Sequence, residues 1–115
     1  MEVTEALKQI QRELVQQVRL LISKKYNALM YTYYMVEASE DFKMLYKSIF
    51  RRYLSEVSPR LQEKIVFAAM NLVFAIRSHL DLYTASPLQN LQTLATNFIR
   101  AQIEDYYDWT VDLAL

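Results

Sequence analysis

The chain has 115 residues, of which 53% are hydrophobic, and its 13 basic and 13 acidic side chains give a formal net charge of zero. This composition excludes intrinsic disorder, and neutrality favours neither nucleic acid nor an anionic membrane as a partner. Glycine and cysteine are both absent, which excludes glycine-dependent phosphate loops and nucleophile elbows as well as disulfides and thiol catalysis. We expect a single helical domain over residues 1–115.

The first predicted helix covers residues 3–37, and Thr4 with Glu5 suits its first turn. Tyrosines at positions 31, 33 and 34 raise the alternative of a strand. We interpret the segment as helix because no turn residues flank it and no second strand is apparent. Apolar residues on one face of this helix recur at helical spacing, and this stripe comprises Val3, Leu7, Ile10, Leu14, Val18, Leu21 and Ile22.

The second predicted helix covers residues 40–56 and begins after Ser39. Four basic side chains, which we call the basic stripe, follow one another along this helix: Lys43, Lys47, Arg51 and Arg52. Phosphate contacts together with stacking on neighbouring tyrosines would be one use of such a surface. A solvated face and a protein-docking face are the alternatives.

The third and fourth predicted helices, 59–83 and 87–113, begin at Ser58-Pro59 and Ser86-Pro87. Serine is a favoured N-cap and proline suits the first helical position, and Gln89 has capping-box spacing from Ser86. The third helix is apolar nearly all round, which predicts a central buried helix. We therefore expect Asn71 to be a core or helix-interface amide whose hydrogen bonds are made, with a ligand contact as the alternative.

Residues 101–115 carry four acids and no base, which leaves the rest of the chain at net +4. Glu104 or Asp105 forms a second stripe with Asp108 and Asp112. This acidic stripe and the basic stripe would pair either within one molecule or across an interface.

These elements predict an all-α fold, a four-helix up-down bundle with a long first helix. The alternative is a five-helix bundle in which the first helix is broken near residues 23–27. The short second helix cannot cover the N-terminal half of the first, so we favour a contact between that half and another chain. The expected self-association residues are Val3, Leu7, Ile10, Leu14, Val18 and Leu21.

Catalytic and metal-binding side chains are sparse. His79 is the only histidine, and no glutamate precedes it by three residues as in di-metal helical bundles. Glu37, Glu40 and Asp41 cluster where helix-capping acids are common. We predict a protein that is not an enzyme and that uses no metal or other cofactor.

The sequence therefore predicts a small non-enzymatic interaction protein that self-associates or docks onto a larger protein. The alternative is a nucleic-acid-associated subunit of a larger complex, which binds phosphates weakly through the basic stripe. We expect no membrane partner, because the longest apolar run, 65–76, is shorter than the roughly 18 residues of a membrane span. The N-terminal residues have no signal-peptide pattern, so we expect a cytoplasmic protein.

Overall fold

A computed structural model of the chain describes residues 3–30, 35–83 and 86–114, with side chains over 5–30, 37–83 and 86–105. The described residues form four helices and no strand. They are α1 (Val3–Met30), α2 (Met35–Tyr53), α3 (Pro59–Leu82) and α4 (Leu88–Ala114). The prediction of an all-α four-helix bundle is confirmed.

The start of α3 follows the predicted capping chemistry. The Ser58 hydroxyl accepts a hydrogen bond of 3.1 Å from the backbone N–H of Leu61, and Pro59 occupies the first helical turn. The cap satisfies one of the amide groups that a helix N-terminus leaves without an intrahelical partner. The sequence therefore predicted the start of α3 correctly.

The start of α4 lies where predicted, but Ser86 has a different role. Its hydroxyl donates 2.8 Å to the carbonyl of Tyr83, and its backbone N–H donates 3.0 Å to the same oxygen. The carbonyl of Pro87 accepts from the N–H of Asn90 at 2.9 Å. Ser86 thus closes the turn after α3, and the structure shows no hydrogen bond between Ser86 and Gln89.

The boundary between α1 and α2 differs from the prediction. α1 is described as far as Met30, and residues 35–37 belong to α2, which begins at Met35, so Ser39 lies inside α2 and does not start it. α1 is continuous through 23–27, which makes the five-helix alternative wrong. Neither glycine nor proline marks this boundary, which is why the sequence pattern places it poorly. The question of a strand at 31–34 lies outside the described residues.

Neighbouring helices in the bundle run antiparallel. Between α1 and α2, Lys25 forms an ion pair with Asp41 near one end, and Glu13 with Arg52 near the other. α1 also packs along α4, and α3 packs against both α2 and α4. The described chain measures 45 × 22 × 21 Å. This is the up-down arrangement that short connections favour.

The apolar stripe of α1 lies inside the chain's own core. Leu7, Ile10, Leu14 and Val18 are each at most 2% exposed, and Leu21 is half-buried against them. The 27-residue α4 packs along α1 more extensively than any other helix does. We expected the stripe to contact a second chain because α2 is too short to cover it. Since α4 also packs along α1, this reason no longer applies. The Val3 side chain lies outside the described residues.

α3 is buried on one side only, which corrects the expectation of a wholly buried helix. Phe67 and Phe74 are 60% and 57% exposed, and Asn71 is exposed instead of forming a core amide. Among the described helices, α3 alone has the length and hydropathy of a membrane span. Of the 18-residue apolar segment of α3 that has this hydropathy, 39% is buried inside the structure. Core helices of soluble bundles have the same length and hydropathy, so this resemblance is weak. The exposed aromatic side chains are the first indication of a functional surface.

Candidate protein-interaction surface

The exposed side of α3 is a continuous line of side chains, which we call the α3 outer face. The core residues of α3 lie on the opposite side of the helix, from Leu61 through Leu72 to Leu80. Residues of the outer face recur every three or four positions and therefore share one side of the helix. The face comprises Arg60, Glu63, Phe67, Asn71, Phe74, Ser78 and Asp81, all of which are exposed.

Two aromatic rings occupy the middle of the α3 outer face. Phe67 and Phe74 are two helical turns apart, a rise of roughly 10 Å, and Met70 lies half-buried beside them. Burying one such side chain contributes about 1.5–3 kcal/mol relative to leaving it exposed. Two exposed aromatic side chains on one helix face, flanked by polar residues, are typical of an interaction site rather than of isolated hydrophobic residues on a surface.

A groove between α2 and α3 adjoins the outer face. It has a volume of about 220 Å³, and Met70, Val73 and Phe74 form its apolar side. Glu40 and Lys43 of α2 and Arg77 of α3 provide its polar rim. Phe74 lines this groove and is also part of the outer face, so the two apolar surfaces are continuous.

Two of the four cations in the basic stripe form ion pairs within the chain. Lys43 forms an ion pair of 3.0 Å with Glu40, one turn earlier on the same helix. Arg52 pairs with Glu13 of α1. Lys47 is half-buried and Arg51 is exposed. The local charge available for phosphate contacts is therefore smaller than the sequence spacing indicated.

The acidic stripe does not neutralise these cations among the described side chains. Glu104 and Asp105 are exposed, and no ion pair joins either of them to Lys47 or Arg51 in the described part of the chain. Asp108 and Asp112 lie outside the described side chains. The predicted pairing of the two stripes stays a prediction.

Of the acids near the start of α2, Asp41 joins two helices and Glu37 lies in the first turn of α2. Asp41 pairs with Lys25 of α1, and Glu40 pairs with Lys43. Glu37 is exposed. Across the described residues, no group of three or more histidine, cysteine or acidic side chains is placed to hold a metal ion.

His79 packs against a neighbouring aromatic ring near the end of α3. Its ring centroid lies 4.9 Å from that of Tyr83, with the planes tilted by 40°. Its Nε2 atom is buried without a hydrogen-bond partner among the described residues. The ring therefore has a packing role at the C-terminal end of the helix.

A second apolar exposure lies between α1 and α2. Leu20 is 56% and Met44 69% exposed, and both line an open groove of about 780 Å³. Lys24, Lys25 and Asp41 border it. Unlike the α3 outer face, this groove presents no aromatic side chain.

The sequence interpretation missed a buried polar contact that connects three helices. The Tyr46 hydroxyl donates 3.1 Å to Gln102 Oε1, and Gln102 Nε2 donates 3.1 Å to the backbone carbonyl of Ala68. Tyr46 is fully buried, and burial raises the pKa of its phenol above the ordinary value. A usable signal was present, because Gln102 follows Ala95 and Ile99 at core spacing on α4.

Comparison of the chain with protein-family models, with curated proteins and with solved structures gives no match.

Proposed function

We propose that this chain is a small non-enzymatic interaction protein that binds another protein through the α3 outer face. The observation that carries the proposal is the paired exposure of Phe67 and Phe74 on one side of α3, at 60% and 57%. Aromatic side chains are enriched at protein interfaces because they bury a large area with few rotatable bonds.

The polar composition of the face supports a protein partner. Arg60 and Glu63 precede the aromatic pair, and Ser78 and Asp81 follow it. An apolar centre with a polar rim is the usual anatomy of a protein–protein interface. A lipid surface would instead favour a broad apolar face flanked mainly by basic residues.

Absence of a catalytic role is part of the same proposal. Catalysis needs titratable or nucleophilic groups that converge on one cleft. The groove beside Phe74 has Glu40 and Lys43 on its rim, and these two side chains neutralise each other. Ser39 and Arg77 are its other polar lining residues, and the rest of its wall is apolar, which suits docking more than bond chemistry.

Nucleic-acid association is the second candidate function, supported by the exposure of Arg51 and the partial exposure of Lys47. It ranks lower because Glu40 and Glu13 already pair with Lys43 and Arg52. Electrostatic affinity for nucleic acid rises with the number of phosphates that a protein neutralises. Two remaining cations support only weak, salt-sensitive binding.

Site-specific photo-cross-linking tests the proposed function. A benzoyl-phenylalanine placed at Phe67 in living cells should give adducts with a protein chain, either this chain itself or another. The same probe at Asn97, which is exposed on α4, is the matched control and should give far fewer. Equal adducts at both positions, or adducts at Phe67 only with lipid or nucleic acid, would overturn the proposal.

A further inference from the structure

We infer that the partner of the α3 outer face is a second copy of this chain, with the two α3 helices antiparallel. The inference rests on the proposed function and adds the identity and orientation of the partner. Phe67 lies as many residues before the midpoint between Met70 and Asn71 as Phe74 lies after it. Arg60 and Asp81 are also placed symmetrically about this midpoint, farther out along α3. A two-fold axis through this midpoint therefore superimposes each of these positions on its counterpart.

The aromatic pair provides the centre of this contact. Under the two-fold axis, Phe67 of each copy meets Phe74 of the other, so the same ring contact forms twice. Both rings are more than half exposed in the single chain and would be buried in the pair. Aromatic pairs across an interface favour offset or edge-to-face packing, which helices spaced by about 8–10 Å allow.

Charges at the two ends of the face are complementary in this orientation. Arg60 of one copy lies opposite Asp81 of the other, again twice. Glu63 lies at the level of Arg77 of the second copy, and Arg77 lines the groove between α2 and α3. All four side chains are exposed.

The same charges disfavour the parallel alternative. A parallel, in-register pairing would still bring aromatic rings together, but it would place Arg60 against Arg60 and Asp81 against Asp81. Opposite charges fix orientation and register at an interface more than they add affinity. The order of charges along α3 therefore selects the antiparallel pair.

The inferred contact also limits the size of the assembly. An isologous two-fold interface uses the same surface on both copies and leaves no second copy of that surface free. The assembly therefore closes at a dimer, whose mass is twice the chain mass of 13.7 kDa.

Sedimentation equilibrium on the purified chain with charge-swapped variants tests the pairing. The wild-type chain should dimerise, and Arg60→Glu or Asp81→Arg alone should weaken the dimer by about tenfold, because each places like charges together twice. The combined Arg60→Glu/Asp81→Arg variant should restore it. Arg100→Glu, the same charge change at an exposed α4 position, should leave the dimer unchanged.

Spin labels report the orientation directly, since the chain has no native cysteine to interfere. Labels on Asn71→Cys and on Ser78→Cys should give inter-copy distances that differ by roughly 15 Å, with position 78 longer. Equal distances at the two positions would indicate a parallel pair and would overturn the inference. Failure of the combined charge swap to restore the dimer would overturn it as well.

A monomeric wild-type chain at millimolar concentration would also refute the second-copy inference. The photo-cross-linking result then separates the two proposals. Adducts from Phe67 to a different protein would leave the proposed function standing, whereas the absence of any protein adduct would remove both. A dimer that persists after Phe67→Ala with Phe74→Ala would show that the chains associate elsewhere.

Discussion

The Tyr46 hydroxyl of α2 donates a hydrogen bond of 3.1 Å to the Gln102 side-chain oxygen of α4, inside a mainly apolar core. Gln102 in turn donates to the Ala68 carbonyl of α3. Three of the four helices are thus joined by one buried glutamine. A buried amide is tolerated only where its hydrogen bonds are made, so this contact fixes how these three helices face one another.

Replacing Tyr46 by phenylalanine should lower the free energy of unfolding by about 1–3 kcal/mol, because Gln102 Oε1 loses its donor while staying buried. Urea unfolding followed by circular dichroism measures the change. The double variant Tyr46→Phe/Gln102→Leu is the control, since removing both partners leaves no buried polar atom of the pair. A double variant that loses the full sum of the two single effects would contradict the coupling.

The buried Tyr46 phenol should make the folded chain less stable at alkaline pH. Burial raises the pKa of Tyr46 above its ordinary value of 10.0. The stability that depends on a protonated Tyr46 phenol in the folded chain is therefore fully present below pH 10. It is lost as the pH rises toward the folded-state pKa, because in this range only the unfolded chain ionises the phenol. Stability of the wild type should fall by up to about 1.4 kcal/mol per pH unit more steeply than that of Tyr46→Phe. Parallel slopes between pH 10 and 11 would refute this prediction.

Glu13 should contribute more to stability than the other acid that pairs near it on α1. The Glu13 side chain is only 16% exposed, and its carboxylate pairs with Arg52 and accepts a hydrogen bond from the Tyr53 hydroxyl. The Glu5 side chain is 59% exposed and pairs with Lys8 at 3.9 Å. We expect Glu13→Gln to cost about 1–2 kcal/mol and Glu5→Gln less than about 0.5 kcal/mol. Thermal or urea unfolding of both variants makes the comparison, and equal losses would contradict it.

Leu14 should behave as a core residue and not as an interface residue. It is fully buried in the single chain, so Leu14→Ala should lower the free energy of unfolding by about 2–5 kcal/mol. Leu7→Glu with Leu14→Glu should unfold the chain rather than release a smaller helical species. Urea unfolding together with light scattering decides between these outcomes. A helical monomer from the double variant would restore the interface role of the α1 stripe.

Any nucleic-acid binding should be weak and should fall steeply with salt. Replacing Lys47 and Arg51 by glutamate should abolish it without loss of helix, since neither side chain is in the buried core. Fluorescence anisotropy with a labelled oligonucleotide at two salt concentrations measures the effect. Lys8→Glu with Arg100→Glu, which changes the charge equally at other exposed positions, is the control. Binding that is tight and insensitive to salt would reverse the ranking of the two proposed functions.

Local chemistry let the sequence alone predict the helices and several of their details. The Ser58-Pro59 pair placed the start of α3, because capping depends only on residues within one turn. Helical periodicity identified Leu7, Ile10 and Leu14 as one apolar face, and the structure buries all three. The boundary between α1 and α2 was missed because neither glycine nor proline marks it.

Tertiary structure alone decided which apolar faces the chain covers itself. Periodicity shows that Leu14 and Phe74 each lie among apolar neighbours, but it does not show what packs on them. α4 and α2 both pack along α1, and Leu14 is fully buried, whereas α3 is buried on one side only and Phe74 is 57% exposed. Three-dimensional packing also brought Glu13 to Arg52 and Gln102 to Tyr46. These partners are far apart in sequence, so only the positions of whole helices determine which side chains meet.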